Sequence, residues 1–303
     1  MSVVNPGIAR RWILAGAMLA GVTGAVHAND EDTLARIRAS GAVVIGYRGS
    51  SIPLSYLAGD RPVGYSVDVC RFLAADLAKA LGLKSVTVNY REVTPVDRFD
   101  AIRTGRVDLE CGSTTNTAAR RRLVAFTIPH FLAASRLMVR ASDPFAKIED
   151  LNGRRVASTA GTTNVASLKR EASLKGLTID VPEAADHAEA VRWLLAGKVD
   201  GFAMDDVLLY GLRAESAKPS MLKVIGKPMT VEPYAIAFAK GEPQLKRLVD
   251  STLRRLIESG ELRRLYDRWF MQPIPPKGID LEMPISPLLE DSWRFPSDFV
   301  PDE

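Results

Sequence analysis

The chain has 303 residues, and its 40 lysines and arginines against 36 aspartates and glutamates give a net charge of +4 at pH 7. A charge this small, with both signs interspersed along the sequence, argues against a nucleic-acid-binding protein. The length suits about two domains of ordinary size.

The first predicted element is a cleavable secretory signal at residues 1–28. Arg10 and Arg11 precede a short apolar run rich in glycine and alanine, and the small residues Val26 and Ala28 indicate cleavage after Ala28. The apolar run is short for a membrane span, although an anchoring helix is the alternative. Removal of the two arginines with the signal leaves a net charge of +2. The signal therefore predicts export from the cytoplasm.

The rest of the chain alternates short runs of valine and isoleucine with helical patterns, which predicts an α/β fold built on mainly parallel sheets. The predicted strands, in chain order, are AVVIGYR, VTVNYREV, VDLECGS, RLMVR, RRVAS, VDGFAM and YAIAFAK. Two segments, SVDVCRFLAADLAKALG and PQLKRLVDSTLRRLIESG, each carry one apolar helical face and end at a glycine. Both are predicted to be core helices.

An internal similarity relates two distant segments, AIRTGRVDLECGS and LLAGKVDGFAMDD. Each has a helix end, a glycine, a basic residue, Val-Asp and a strand, and the fifth residue after the aspartate is Ser113 in one and Asp205 in the other. Open α/β sheets bind ligands at the carboxyl ends of their strands, where these two residues would lie. A short frame can also match by chance. If the similarity is real, the chain forms two similar lobes that face each other across a cleft.

The lobe boundaries follow from the connecting segments. Lobe 1 is predicted to comprise residues 29–140 plus 235–303, and lobe 2 residues 141–234. The two crossings are the segments ASDPFAKIEDLNG and IGKPMTVEP. The C-terminal part, rich in proline and acidic residues, is predicted to wrap on a surface rather than form a domain.

No metal site, cofactor or common catalytic motif is predicted. The sequence contains no G-x-S-x-G, G-x-x-x-x-G-K or G-x-G-x-x-G motif, and His130 and His187 do not lie at ligand spacing from a cysteine. The two cysteines, Cys70 and Cys111, would lie in a compartment where disulfides can persist. The sequence leaves their pairing open, because it does not show whether their Cα atoms lie within bridging distance.

Eight segments, taken in order, resemble the family 3 solute-binding proteins that feed ABC importers of polar amino acids, and within them the glutamate/aspartate branch. These segments are GYRGSSIPLSY, GYSVDVC, DLECGSTTN, AGTTN, ADH, MDD, IGKP and YDRWFMQPIPPKG. The resemblance covers nearly all of the chain after the signal. It implies a type II periplasmic binding protein with its ligand cleft between two lobes. It also implies a monomer that works with a membrane permease and is not an enzyme.

The resemblance assigns the α-carboxylate of a bound amino acid to Ser113, Thr115 and Arg120. The chemistry suits this role, since a guanidinium offers a planar fork to a carboxylate and hydroxyl groups at a helix start add donors. The alternative is that Arg120 belongs to a solvated basic face with Arg121 and Arg122.

In lobe 2, Thr163 resembles the second contact to the same carboxylate. Asp205 resembles the acid that takes the α-ammonium group, and Asp206 is less favoured by its register. The alternative is that these two adjacent acids cap the next helix.

The distal carboxylate of the ligand is assigned by the resemblance to Arg48 and Arg98, with His187 as their partner in lobe 2. Desolvating an arginine at the end of an apolar strand is costly unless an anion arrives, although Arg98 could instead form a surface salt bridge. Three arginines against Asp205 leave a net charge of +2, with His187 neutral. This predicts L-glutamate or L-aspartate as the ligand, ahead of glutamine or arginine.

One departure from the branch concerns Arg48. Gly49 stands where the branch often has a glutamate, which leaves open the orientation of Arg48 and the choice between the longer and the shorter acid. The roles of Arg121 and Arg122 are also unassigned.

The rival function is a periplasmic enzyme on the same fold, a cyclohexadienyl-type dehydratase. Such an enzyme would need a carboxylic acid in the pocket for proton transfer, and Glu110 is the nearest candidate by sequence. A ligand-sensing domain of a receptor is a third possibility, disfavoured by the absence of a later transmembrane pattern.

Overall fold

Residues 32–300 are described by a computed structural model of the chain. The predicted signal at residues 1–28 lies outside these residues. Within residues 32–300, no helix is both long enough and apolar enough to cross a membrane.

Ten α-helices occur in the described part of the chain. They are α1 (Thr33–Ser40), α2 (Tyr65–Ala80), α3 (Arg98–Arg103), α4 (Ala118–Arg121), α5 (Thr163–Leu174), α6 (His187–Leu195), α7 (Asp206–Glu215), α8 (Pro243–Glu258), α9 (Glu261–Phe270) and α10 (Pro287–Arg294). Two short 3₁₀ helices occupy Ile148–Leu151 and Pro219–Met221. Both predicted core helices are confirmed, as α2 and α8.

Fifteen strands accompany the helices in residues 32–300. They are β1 (Ala42–Tyr47), β2 (Ser50–Ser51), β3 (Ser55–Ala58), β4 (Arg61–Val63), β5 (Thr87–Glu92), β6 (Leu109–Glu110), β7 (Ala125–Phe126), β8 (Phe131–Ala133), β9 (Ser135–Arg140), β10 (Val156–Thr159), β11 (Glu183–Ala184), β12 (Gly201–Asp205), β13 (Leu222–Ile225), β14 (Glu232–Tyr234) and β15 (Ala237–Phe238).

Two five-stranded sheets share one pattern of pairing. The first has the order β5-β1-β6-β15-β7 and the second the order β11-β10-β12-β9-β13. In each sheet the first three strands of this order pair in parallel. The fourth and fifth strands each pair antiparallel with the strand before them. The predicted α/β class is confirmed. Each sheet also contains antiparallel pairs, which the prediction of mainly parallel sheets did not specify.

The middle strands of the two sheets, β6 and β12, are the strands of the internal similarity. Ser113 follows β6, and Asp205 is the last residue of β12. The carboxyl ends of both middle strands therefore carry a polar side chain, as the repeated frame predicts. The internal similarity is confirmed as a repeated structural unit.

The two passages between the sheets pair with each other. The chain leaves the first sheet after β7 and passes through β8, and it returns from the second sheet through β14. Strands β8 and β14 are antiparallel, with Ala133 opposite Glu232 and Phe131 opposite Tyr234. This two-stranded ribbon connects the lobes, so its residues lie close to both sheets.

The first crossing lies earlier than the predicted boundary at residue 140. Strand β9, Ser135–Arg140, pairs with β12 and β13 of the second sheet, although it was predicted to belong to lobe 1. A short apolar pattern does not specify the sheet in which a strand pairs, because that depends on distant partners. We propose that lobe 2 begins near residue 135.

Aromatic rings hold the ribbon against lobe 1. The ring of Phe131 in β8 stacks on Phe270 and Tyr266 of α9, with centroids 5.2 Å and 6.2 Å away. Tyr65 at the start of α2 packs edge-on against Phe270, and its hydroxyl donates to the carbonyl of His130 at 2.9 Å. The ribbon is therefore anchored at its lobe 1 end.

The C-terminal part wraps on lobe 1, as predicted, and also contains a helix that the sequence reading missed. Leu289 and Trp293 of α10 are buried, and the ring of Trp293 packs edge-on against Tyr266. Beyond α10, the carboxylate of Asp298 lies 3.0 Å from Lys246 Nζ. This helix has only eight residues and lies in a proline-rich segment, so its apolar residues form too short a pattern to predict a helix.

A disulfide joins α2 to the end of β6. Cys70 and Cys111 form it with a Cα–Cα distance of 6.3 Å, which answers the question that the sequence left open. It attaches the middle strand of the first sheet to its covering helix, immediately before Gly112 and Ser113.

We expect the double variant C70A/C111A to lose about 4 kcal/mol of unfolding free energy, because the disulfide closes a loop of 41 residues. Urea unfolding of the oxidised wild type and the variant measures the difference. A reductant should destabilise the wild type and leave the double variant unchanged. Equal stability of the two oxidised proteins would contradict the expectation.

Candidate functional site

Arg48 follows β1, at the carboxyl end of the parallel strands. Its backbone N–H donates to the hydroxyl of Ser55 at 2.9 Å, and only 3% of the residue is exposed. The carboxylate of Glu92 lies beside Gly49, where an added Cβ would come within 2.4 Å of it. Gly49 therefore leaves room for Glu92, while Arg48 faces the cavity described below.

Arg98 begins α3 and is 2% exposed. Its Nη2 donates to the carbonyl of Gly161 in lobe 2 at 3.2 Å, and its guanidinium lies over the ring of Phe99, 4.8 Å from the centroid. Its Nε is buried without a partner among the described residues. The surface salt bridge considered for Arg98 is therefore wrong.

Arg120 lies in α4, the short helix that follows the middle strand of lobe 1. Its Nη1 donates to the carbonyl of Thr115 at 2.8 Å, and its Nη2 to the carbonyl of Gly161 at 3.4 Å. Thr117 caps the helix through its side chain. Arg120 is partly exposed, but its guanidinium points back across the end of β6 and reaches lobe 2.

The three arginines share one desolvated region. Burial lowers the pKa of Arg48 and Arg120 and lowers that of Arg98 further, with the charge of Arg120 adding to the effect on Arg98. Within residues 32–300, none of the three has a carboxylate oxygen within 4.0 Å of its guanidinium. Their positive charge is therefore only partly compensated, and an anion between them would be stabilised.

The lobe 2 side of the site contributes hydroxyl, imidazole and carboxylate groups. The hydroxyl of Thr163, at the start of α5, donates to Glu232 in β14 at 2.8 Å. The Nδ1 of His187 lies 2.8 Å from the hydroxyl of Thr159, and its Nε2 is buried without a partner in residues 32–300. Burial, reinforced by Arg48, lowers the pKa of His187 far below its usual value, so this imidazole is neutral.

The two adjacent acids after β12 have different surroundings. Asp205 accepts hydrogen bonds from Asn164 Nδ2 at 2.9 Å and from the hydroxyl of Tyr234. Asp206 accepts from the backbone N–H groups of Ala134 and Val207. Asp206 therefore has a structural role in the chain turn, and only Asp205 faces the cavity.

The pKa of Asp205 is raised to about 7. Burial is the largest cause, and the nearby charge of Glu232 adds to it, whereas the hydrogen bonds from Tyr234 and Asn164 oppose it. Asp205 thus takes up a proton far more readily than an exposed aspartate would, unless a cation pairs with it.

All eight residues predicted for the site line one small cavity. The cavity is lined by Arg48, Arg98, Ser113, Thr115, Arg120, Thr162, Thr163, His187, Met204, Asp205 and Leu208. In the part of the chain described, no group of three or more His, Cys, Asp or Glu side chains could hold a metal ion.

Several residues around the cavity were not found from the sequence. Thr162, Met204 and Leu208 line it, while Glu232 and Tyr234 on the ribbon bond to Thr163 and Asp205. Glu232 and Tyr234 are separated from the strand ends in sequence, so no local pattern connects them with the site.

Arg121 and Arg122 have no place in the cavity. Arg121 donates from Nε to Asn116 Oδ1 at 2.8 Å and lies 3.6 Å from the carboxylate of Asp298. Arg122 is exposed. Arg121 therefore joins the site loop to the C-terminal segment.

The chain is similar in sequence and in fold to known proteins. The family model of bacterial extracellular solute-binding proteins, family 3, matches residues 43–272. The L-glutamate/L-aspartate-binding protein of Pseudomonas aeruginosa is 37% identical over 290 residues, which cover 94% of this chain and 96% of the relative. The glutamate/aspartate import solute-binding protein of Escherichia coli is 33% identical over 289 residues, again 94% and 96% of the two chains.

A solved structure extends the comparison. It is an ancestral amino acid-binding protein described as a precursor of cyclohexadienyl dehydratase. It matches with a TM-score of 0.66 and 26% identity, over 78% of this chain and 99% of that chain.

The raised pKa of Asp205 predicts a pH dependence of stability. An aspartate has a pKa of about 4 in the unfolded chain, so the folded protein binds more protons between about pH 4 and pH 7, and stability falls as pH rises through that range. D205N should lack this contribution. As the pH rises from 4 to 8, we expect the free energy of unfolding of D205N to increase relative to that of the wild type by on the order of 2–4 kcal/mol.

Urea unfolding of both proteins at several pH values measures this difference. The other titrating groups are common to both proteins, so the difference between the curves reports on position 205. Parallel curves would show that the pKa of Asp205 is not raised.

Proposed function

The chain belongs to the bacterial extracellular solute-binding proteins of family 3, and we propose that it captures L-glutamate or L-aspartate as the substrate-binding component of an ABC importer. One observation carries the proposal: the buried Arg48 and Arg98, the partly buried Arg120 and the buried Asp205 face a single cavity between the two sheets. That charge pattern complements two carboxylates and one ammonium group.

We assign the α-carboxylate to the lobe 1 strand end. Arg120 offers a guanidinium already held by the carbonyl of Thr115, and Ser113 and Thr115 add hydroxyl groups. The hydroxyl of Thr163 is occupied by Glu232, so its backbone N–H at the start of α5 is the donor that we assign.

The α-ammonium group is assigned to Asp205. Asn164 and Tyr234 already bond to its two carboxylate oxygens and hold them in place. An ammonium ion favours the carboxylate form, so ligand binding should displace the proton that the raised pKa of Asp205 favours.

The distal carboxylate is assigned to Arg48, Arg98 and His187. The hydroxyl of Thr159 can donate to Nδ1 of the neutral His187, which leaves Nε2–H as a donor into the cavity. Two guanidinium groups and one N–H donor would then surround the carboxylate that distinguishes the acidic amino acids from glutamine.

A ligand held in this way joins the lobes. Arg98 and Arg120 of lobe 1 both donate to the carbonyl of Gly161 in lobe 2, so closure brings the cationic groups against the second sheet. Neutralisation of their charges by the ligand would favour the closed arrangement, with movement at the β8–β14 ribbon.

Binding without turnover is the better-supported function. The curated relatives in Pseudomonas aeruginosa and Escherichia coli are named as binding proteins. Glu110, the acid considered for a dehydratase, is not among the residues that line the cavity, so it does not face a ligand directly. We propose a monomer in the periplasm that delivers its ligand to a membrane permease, with residues 1–28 as its predicted signal.

We expect the protein, refolded to remove carried-over ligand, to bind L-glutamate and L-aspartate and to bind L-glutamine and L-arginine far more weakly. R120A should lose at least about 100-fold in affinity for both acids, because breaking a buried charge pair costs about 3 kcal/mol or more. Isothermal titration calorimetry measures these affinities. R121A is the matched control, since Arg121 is next in the helix but bonds to Asn116 and Asp298.

R121A should bind like the wild type. Full affinity in R120A would contradict the assignment of the α-carboxylate. If none of the four amino acids binds to the wild type, the proposed function itself fails, and cyclic carboxylates should be tested for binding and turnover.

A second set of variants addresses the distal carboxylate. R98M should reduce the affinity for L-glutamate by about 100-fold and change that for L-glutamine by less than about tenfold, because only glutamate carries the charge that Arg98 complements. Calorimetry with both ligands gives the ratio. Equal losses of affinity for the two ligands would show that Arg98 does not distinguish the distal carboxylate of glutamate from the distal amide of glutamine.

A further inference from the structure

Glu110 is a fully buried acid that the proposed ligand contacts do not use. It is the last residue of β6, the middle strand of the first sheet, and its exposed fraction is 0%. It pairs with Gly46 of β1 and with Ala237 of β15. The carboxylate therefore lies inside lobe 1, and it does not line the cavity.

The side chain of Glu110 lies on the arginine side of the sheet. The next residue, Cys111, is bonded to Cys70 of α2 on the opposite face, and successive side chains of a strand alternate in direction. A Cβ added to Gly112 would lie 2.4 Å from Glu110 Oε1 and 2.7 Å from Arg48 Cγ. The carboxylate and the stem of Arg48 thus converge on one point that only glycine leaves free.

Both carboxylate oxygens of Glu110 are buried, and neither accepts a hydrogen bond from residues 32–300. A buried carboxylate without donors is costly unless nearby charges compensate it. The charge of Glu110 raises the pKa of Arg48, Arg98 and Arg120, opposing the burial that lowers it. The field of the three arginines therefore compensates the charge of Glu110 in part.

We propose that Glu110 is the internal counter-ion of the cavity and sets its selectivity for ligand charge. The class of ligand is taken from the proposed function above. Glu110 reduces by one unit the positive charge that the three arginines present to the cavity, beside the carboxylates of Asp205 and Glu232. Each negative charge on a ligand meets the repulsion of Glu110. Among ligands of similar size, one with two excess negative charges is therefore disfavoured relative to one with a single excess charge.

The test compares E110Q with the wild type, using three probes of similar size that differ in net charge. At pH 8 these are L-glutamine with no net charge, L-glutamate with one negative charge, and O-phospho-L-serine with two. Removal of the Glu110 charge changes the binding free energy by about the same amount for each unit of net charge on the ligand. The Kd ratio of glutamate to O-phospho-L-serine should therefore shift about tenfold towards O-phospho-L-serine.

The ratio of glutamine to glutamate should shift by a similar factor towards glutamate. Loss of positioning alone would weaken all three ligands together and leave the ratios unchanged. E242Q is the matched control, because Glu242 also has a buried oxygen without a partner among the described residues and lies outside the cavity. It should leave both ratios at their wild-type values.

A second measurement needs no ligand. E110Q should have a lower Tm than the wild type by about 5 °C, because the arginines lose their counter-ion. The double variant E110Q/R98M removes one charge of each sign and should recover most of that loss. If E110Q unfolds during purification, folding of E110Q/R98M gives the same answer.

The inference is overturned if both Kd ratios stay within twofold of the wild type in folded E110Q. It is equally overturned if E110Q/R98M is no more stable than E110Q. If the wild type binds none of the probes, the proposed function fails, and the stability of the double variant still decides whether Glu110 is the counter-ion.

Discussion

The shared desolvation of three guanidinium groups, of which only that of Arg120 belongs to a partly exposed residue, is the constraint on which the rest of the described structure depends. Arg48, Arg98 and Arg120 come from three separate elements of lobe 1, and burial lowers the pKa of each. Each arginine would be well solvated on a surface. Inside the protein their charge needs carbonyl groups, a carboxylate at a distance and, in the proposed function, an anionic ligand.

The fold supplies these groups from opposite sides. The carbonyl of Gly161 in lobe 2 accepts from both Arg98 and Arg120, while Glu110 lies behind Arg48 in the sheet of lobe 1. The positive charge of the arginines is only partly compensated, since no described carboxylate oxygen lies within 4.0 Å of their guanidinium groups. A closer internal partner would occupy the guanidinium forks that a ligand carboxylate requires.

The ribbon of β8 and β14 connects this electrostatic site to the two-lobed architecture. Tyr234 in the ribbon bonds to Asp205 of lobe 2, and Glu232 accepts from Thr163. Phe131 on the paired strand packs against α9 of lobe 1. The connection between the lobes is therefore bonded to residues that line the cavity, so ligand contacts and lobe arrangement are linked through the same few residues.

The sequence by itself predicted seven of the strands and two core helices, and the family resemblance added eight candidate site positions. Valine-rich runs and glycine-terminated apolar faces predicted the strands and helices, and the repeated frame placed Ser113 and Asp205 at equivalent strand ends. These are local signals, set by backbone preference and by the spacing of apolar residues. Family resemblance then supplied the roles of the arginines, which composition alone would not distinguish from a solvated basic run.

Tertiary structure alone decided the features that depend on distant partners. It paired Cys70 with Cys111, moved β9 into the second sheet, separated Asp205 from Asp206, and brought Glu232 and Tyr234 to the site. It also placed Glu110 beside Arg48 across the open position at Gly112. Sequence spacing cannot specify such contacts, because the energy of a buried charge depends on every group that folding brings around it.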